Sequence, residues 1–207
     1  MNLTQIEDLL SKRTAWNSDL FSSDLPVTGL THLGDKKFDK YIPASVLILL
    51  IRRKNEFNVI FTQRSLSLKN HPGQISFPGG KVIQNEETPW MCALRETKEE
   101  IGLDPKLVRK IGIIPKHQTV TGFIITPFLA EVISKKIVLL PNNQEVSEIF
   151  EVPFTFLMNS KNMLLHKARY RGQVTEYYAI PYGPYYIWGA TARIIKSLSD
   201  IVSTLSR

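Results

Sequence analysis

Apolar positions along this chain switch between two periods, and the switches mark its elements. Residues 4 to 7, Thr-Gln-Ile-Glu, read as a capping box that opens an amphipathic helix running to about Phe21. A polar link rich in Asp, Gly and Lys follows, to about Lys40. Ala44–Ile51 and Phe57–Gln63 are apolar, β-branched runs, and the Arg-Arg-Lys-Asn-Glu between them signals a hairpin. Further strands are predicted at Leu107–Ile114, Ile124–Ile133 and Glu148–Val152, then a short helix from Pro153 to Met158. Met163–Arg169 and Val174–Ile180 read as late strands turning at Arg171-Gly172, and Gly189 to Ser206 as a closing helix.

A helix from Pro89 to Ile101 is the best marked of all. Thr88 suits the N-cap, Pro89 suits the first turn, where no N–H is needed, and Gly102 suits a left-handed stop. Trp90, Ala93 or Leu94, Thr97 and Ile101 form its buried stripe. Glu96, Glu99 and Glu100 share the other face at helical spacing. Like charges so placed repel. A divalent cation would neutralise them, and hard oxygen ligands suit Mg²⁺ or Mn²⁺. Arg95 sits one turn before Glu99 and is expected to orient it, leaving Glu96 and Glu100 for metal. A bare Glu-x-x-Glu-Glu also fits a solvated acidic face; the Gly79-Gly80 pair upstream and the adjacent Arg95 turn the reading toward a site.

Strands around two principal helices predict an α/β fold: an α/β/α sandwich on a mixed central sheet, with N- and C-terminal helices added. Residues 1–43 are expected to form a helix and linker packed on a domain of residues 44–207. Lys and Arg number 26 against 19 Asp and Glu, a net charge of +7 that suits a polyanionic ligand without choosing one. The single cysteine, Cys92, allows no intrachain disulfide. The opening residues lack the apolar core of a secretory signal, the longest apolar run is too short for a bilayer, and Leu-Ser-Arg is not the peroxisomal ending. A cytoplasmic location without membrane attachment is the expectation.

Arg95-Glu96-Thr97-Lys98-Glu99-Glu100-Ile101-Gly102-Leu103, with Gly80 and Glu87 ahead of it, resembles the signature of the Nudix hydrolases. Thr97 stands where an aliphatic residue is usual, and the Gly80-to-Glu87 spacer is one residue longer than the general pattern. The upstream stretch resembles the coenzyme A pyrophosphatase branch, which shares the longer loop. It comprises Phe61-Thr62-Gln63-Arg64-Ser65, Leu68, His71, Gly73-Gln74 and Phe77-Pro78-Gly79-Gly80. Lys69 replaces the branch's usual arginine and loses its bidentate fork. Thr121-Gly122-Phe123, Glu145 to Phe150 and Trp188 to Ala192 extend the likeness.

The resemblance implies Mg²⁺- or Mn²⁺-dependent hydrolysis of the pyrophosphate bond of coenzyme A or a derivative. It implies Glu96, Glu99 and Glu100 as metal ligands, with Arg95 beside them in the catalytic set as the orienter of Glu99. Glu99, Glu145 or Glu148 would act as general base, and Arg64, Lys69, His71, Gly79 and Gly80 would contact substrate. Glu87 would order its loop or reach metal through water. Dimers are common among such relatives, so a homodimer belongs to the expectation. NADH, ADP-ribose and capped RNA stay open as other substrates, as does a catalytically silent ligand-binding module. A plain nucleic-acid binder lacks a recognisable module here. Lys116-His117 reads as surface loop, and the tyrosines from Tyr177 to Tyr186 with Trp188 as packing residues.

Overall fold

The structure is a computed structural model that describes residues 2–14, 21–23, 41–54, 56–134, 136–170 and 173–206. Its helices are α1 (Leu3–Thr14), α2 (Pro89–Ile101), α3 (Phe154–Met158) and α4 (Gly189–Ser203). The strands of the first half are β1 (Phe21–Ser23), β2 (Ile42–Arg53), β3 (Glu56–Arg64), β4 (Ile75–Ser76), β5 (Gly79–Lys81) and β6 (Val108–Ile113). Those of the second half are β7 (Lys116–Gln118), β8 (Phe123–Val132), β9 (Val146–Pro153), β10 (Leu164–Tyr170), β11 (Gln173–Tyr182) and β12 (Tyr185–Trp188).

Two long strands, β2 and β8, run parallel at the centre of a mixed sheet, with antiparallel β3 and β9 beyond β2. The free edge of β2 is shared. Its C-terminal half pairs with β3, from Leu50↔Val59 to Arg53↔Glu56, while its N-terminal half pairs with the short β5, from Ala44↔Lys81 to Val46↔Gly79. That split draws Gly79 and Gly80 into the sheet beside helix α2. Strands β10, β11 and β12 form a separate antiparallel sheet.

The alternation of side chains along β2 supplies a core on each face. Ile48 and Leu50 pack with Ile6 and Leu10 of α1 and with Ile194, Ile195 and Leu198 of α4. Leu47, Leu49 and Ile51 pack with Ala93 and Ile101 of α2. With both faces covered, β2 reads as a nearly unbroken apolar run, as buried strands do. The expected α/β/α sandwich is therefore what forms.

Three readings are corrected. The first helix ends at Thr14, and Phe21–Ser23 is a strand running parallel to β7; Ala15–Leu20 and the polar link from Asp24 to Lys40 lie outside the described residues, as does the Arg171-Gly172 turn. Lys116-His117 is no surface loop: it forms β7, pairs with β8, and buries His117 completely. The closing helix ends at Ser203 and tightens into a 3₁₀ turn at Thr204–Ser206. Among the described residues no helix is long and apolar enough to cross a membrane.

Candidate active site

Helix α2 begins and ends on the residues that its sequence marks. The Thr88 hydroxyl accepts the Met91 N–H, a cap worth about 1 kcal/mol. Gly102 takes φ 71° and returns its N–H to the Lys98 carbonyl. Thr97, in the usually aliphatic position, is buried, and its hydroxyl donates to the Ala93 carbonyl at 2.7 Å. The hydroxyl thus enters the core with its hydrogen bond made.

The three carboxylates of α2 do not share one environment. Glu99 is 53% exposed and Glu96 17%, whereas Glu100 is buried at 3%. The helix rotates Glu100 under β5, where the Gly79 N–H donates to its Oε2 at 3.3 Å. Burial pushes the Glu100 carboxyl up to about 8; Glu96 and Glu145 push the same way, while Gly79 and Arg64 oppose. Burial also raises Glu96, against the pull of Arg95.

Arg95 does more than orient Glu99. Its guanidinium reaches Glu87 by two bonds of 2.9 and 3.1 Å, Glu96 at 2.9 Å and Glu99 at 3.0 Å, and also donates to the Lys81 carbonyl. The expectation that Glu96 stands free of Arg95 is thus corrected: one guanidinium has five donors in a planar fork and serves three carboxylates. Glu87 also accepts the Ile83 N–H at 2.9 Å. It orders the long spacer loop, and Arg95 holds its carboxyl below the usual range.

The seating of β5 between α2 and β2 depends on two missing side chains. A Cβ on Gly80 would lie 2.3 Å from the Glu96 carboxylate, and one on Gly79 would lie 2.3 Å from the Ser45 carbonyl oxygen. The obstacles differ in kind. Gly80→Ala displaces the end of a side chain, so it is expected to cut activity at least about tenfold while the melting temperature changes little. Gly79→Ala strikes the backbone of β2, so it is expected to cost about 1–3 kcal/mol of stability. Thermal melts and turnover on both variants check this pair.

Cys92, noted in the sequence only as a lone thiol, turns out to brace the same strand. Its thiol donates to the Lys81 carbonyl at 3.3 Å and lies 3.6 Å from that of Gly80, and burial pushes it up to about 12. Its position one turn before Arg95 and Glu96 on α2 was the available signal.

The remaining candidates come from two neighbouring loops. The Leu140 and Asn142 N–H groups donate to the Ile101 and Glu100 carbonyls, which pins the segment before β9 to the end of α2. The Glu145 carbonyl then accepts the Ser65 N–H at 2.8 Å, tying that segment to the loop after β3. Glu145 is itself exposed, yet its charge weighs on both Glu96 and Glu100. Glu148 lies further along β9, opposite Gln63, and accepts the Tyr185 hydroxyl.

Arg64 closes the base of the β3–β4 loop through main-chain bonds to Gly73 and Gln74. Its Nε is buried with no hydrogen-bond partner among the described residues. Lys69 and His71 stand exposed on the same loop, and His71 takes φ 55° ahead of Pro72. That left-handed conformation is uncommon for any residue with a side chain.

Among the described residues no three acidic, histidine or cysteine side chains converge closely enough to enclose an ion, since Glu96 and Glu99 turn onto Arg95. The donor chemistry nonetheless fits a hard dication. Glu96 and Glu100 are two carboxyls whose burial disfavours the charged form, and a bound cation reverses that preference.

Comparison with known proteins shows what the chain is similar to. The NUDIX domain family model matches residues 42–171. A protein of Escherichia coli (strain K12 / DH10B), named as the uncharacterized Nudix hydrolase NudL, is 35% identical over 163 residues. That match covers 75% of this chain and 80% of the relative. Among solved structures, the Nudix hydrolase RenU of M. smegmatis superposes with a TM-score of 0.54 at 17% identity, over 80% of this chain and 88% of its own. A MutT protein of Methanosarcina mazei Go1 gives 0.51 at 17% identity, over 81% and 97%. These two likenesses speak for the fold.

Proposed function

The chain belongs to the Nudix hydrolase family, and from that premise we propose that it hydrolyses the pyrophosphate bond of coenzyme A or a derivative. The products would be 4′-phosphopantetheine, or its acyl form, and adenosine 3′,5′-bisphosphate. The family acts on nucleoside diphosphate derivatives with divalent metal ions; coenzyme A, and Mg²⁺ or Mn²⁺ as the ion, are the finer reading. The observation that carries it is the cationic β3–β4 segment: Arg64, with a buried unpartnered N–H, ends β3 at the base of the loop that exposes Lys69 and His71. The charge of Arg64 acts on Glu100 in the carboxylate cluster. Such a loop has cations for a diphosphate and for a further phosphate beyond it.

In this reading Glu96, Glu99 and Glu100 would hold the ion, which requires Glu96 and Glu99 to turn from Arg95. Once bound, the ion supplies charge neutralisation and acidifies water. Arg64 would hold a diphosphate oxygen with its guanidinium. Gly79 and Gly80 let the main chain approach, and Arg95 keeps Glu87 and the spacer loop in place. Glu99 or Glu145 would accept the proton of the attacking water. Between the two carboxylates of the β9 segment, Glu145 is favoured by its electrostatic reach to Glu96 and Glu100.

The test is the ratio of kcat/KM for coenzyme A and dephospho-coenzyme A. Losing one charge-assisted contact to the 3′-phosphate is expected to place kcat/KM for dephospho-coenzyme A roughly 10–100-fold below that for coenzyme A. Equal turnover of both would overturn the coenzyme A reading and favour NADH, ADP-ribose or a capped RNA end.

A further inference from the structure

Residues 173–188 lie beyond the stretch matched by the family model, yet they reach Glu148 on β9, three residues after Glu145. The Tyr185 hydroxyl on β12 donates to Glu148 Oε1 at 2.6 Å, in the range of a charge-assisted bond. Its ring lies flat on Phe150, with centroids 3.6 Å apart and planes 6° from parallel. Phe150 in turn stacks on Phe61 at 5.5 Å, and Phe61 on Phe77 at 5.1 Å, just ahead of Pro78-Gly79-Gly80. The Thr191 hydroxyl at the start of α4 donates to the Ile75 carbonyl and anchors the segment to β4. Tyr185 is thus fixed at the ring, the hydroxyl and the following helix, and it offers Glu148 a rigid partner.

We propose that Tyr185 is a positioning residue, holding Glu148 beside the cationic β3–β4 loop so that Glu148 contacts the substrate. The inference rests on the hydrolase reading of the site, without depending on which diphosphate is cleaved. An exposed glutamate on a strand samples several rotamers; one hydrogen bond from a stacked tyrosine selects one of them. Glu148 stands opposite Gln63 and Ser147 donates to the Gln63 carbonyl, so this position adjoins Arg64 and its cationic loop. Holding a contact there serves binding, so its loss falls on KM.

The experiment is a double-mutant cycle of Tyr185→Phe and Glu148→Gln. Steady-state kinetics are run on whichever of coenzyme A, NADH and ADP-ribose the wild-type protein cleaves best. Tyr185→Phe keeps the ring on Phe150, and thermal melting checks that the fold is intact. Each single variant is expected to raise KM about 3–10-fold with kcat within about twofold, and the double variant to be no worse than Glu148→Gln alone. Unchanged KM in Tyr185→Phe, or effects that multiply in the double variant, would overturn the proposal. Tyr185→Leu removes the stack as well; a loss seen only there would assign Tyr185 to packing. If coenzyme A is not cleaved but NADH or ADP-ribose is, the substrate assignment fails while the cycle still decides the role of Tyr185.

Discussion

Replacing Glu99 by Gln is expected to lower Mg²⁺-dependent turnover about 10³-fold with almost no change in thermal stability. The carboxylate is exposed, and its ion pair to Arg95, at 3.0 Å, is of the surface kind. Such pairs contribute roughly 0–1 kcal/mol. Removing the charge therefore leaves the fold alone, while the proposed chemistry loses either a metal ligand or a base, the latter worth about 10²–10⁴. Steady-state kinetics beside a thermal melt separate the two effects. Undiminished activity would remove Glu99 from the mechanism.

Glu100→Gln is expected to abolish activity and yet stabilise the metal-free protein. The folded-state carboxyl is raised to about 8 by burial, whereas the unfolded chain titrates near 4.5. Between those values the unfolded chain has released its proton and the folded chain keeps it. Folding then takes up a proton, so stability falls as pH rises through this window and levels off above about 8. Gln does not titrate and keeps a carbonyl oxygen for the Gly79 N–H. In chelator at pH 8.5 the variant should melt several degrees above the wild type, an effect of order 1–3 kcal/mol, and the difference should vanish near pH 4.5. Added Mg²⁺ should raise the wild-type melting point and leave the variant's unmoved. A variant less stable than wild type at pH 8.5 would contradict the burial argument.

The burial of Glu100 marks where the sequence stops informing. Helix α2 was legible to its ends because Thr88, Pro89 and Gly102 act within a few residues of one another. The spacing of Glu96, Glu99 and Glu100 put them on one helix but could not rank their burial. That ranking follows from β5 pairing with β2, and a three-residue strand of Gly-Gly-Lys carries no periodic signal. Strand β7 escaped for a related reason: Lys-His-Gln looks like loop, and His117 is buried only because strands flank it on both sides. Arg95 was legible as a partner of Glu99 because four residues make a helical turn. Its bonds to Glu87, eight positions back, needed the spacer loop to fold over first. The contact between Tyr185 and Glu148 spans 37 positions and arises from the meeting of two sheets.

The central claim is that the carboxylates of α2, beside Gly79-Gly80, serve metal-dependent cleavage of a diphosphate bond in coenzyme A. Its most direct test is the mass spectrum of coenzyme A incubated with the protein, with Mg²⁺ or with chelator. 4′-Phosphopantetheine and adenosine 3′,5′-bisphosphate are expected in equal amounts with Mg²⁺, and intact coenzyme A with chelator. Intact coenzyme A under both conditions, or the same products in chelator, would contradict it.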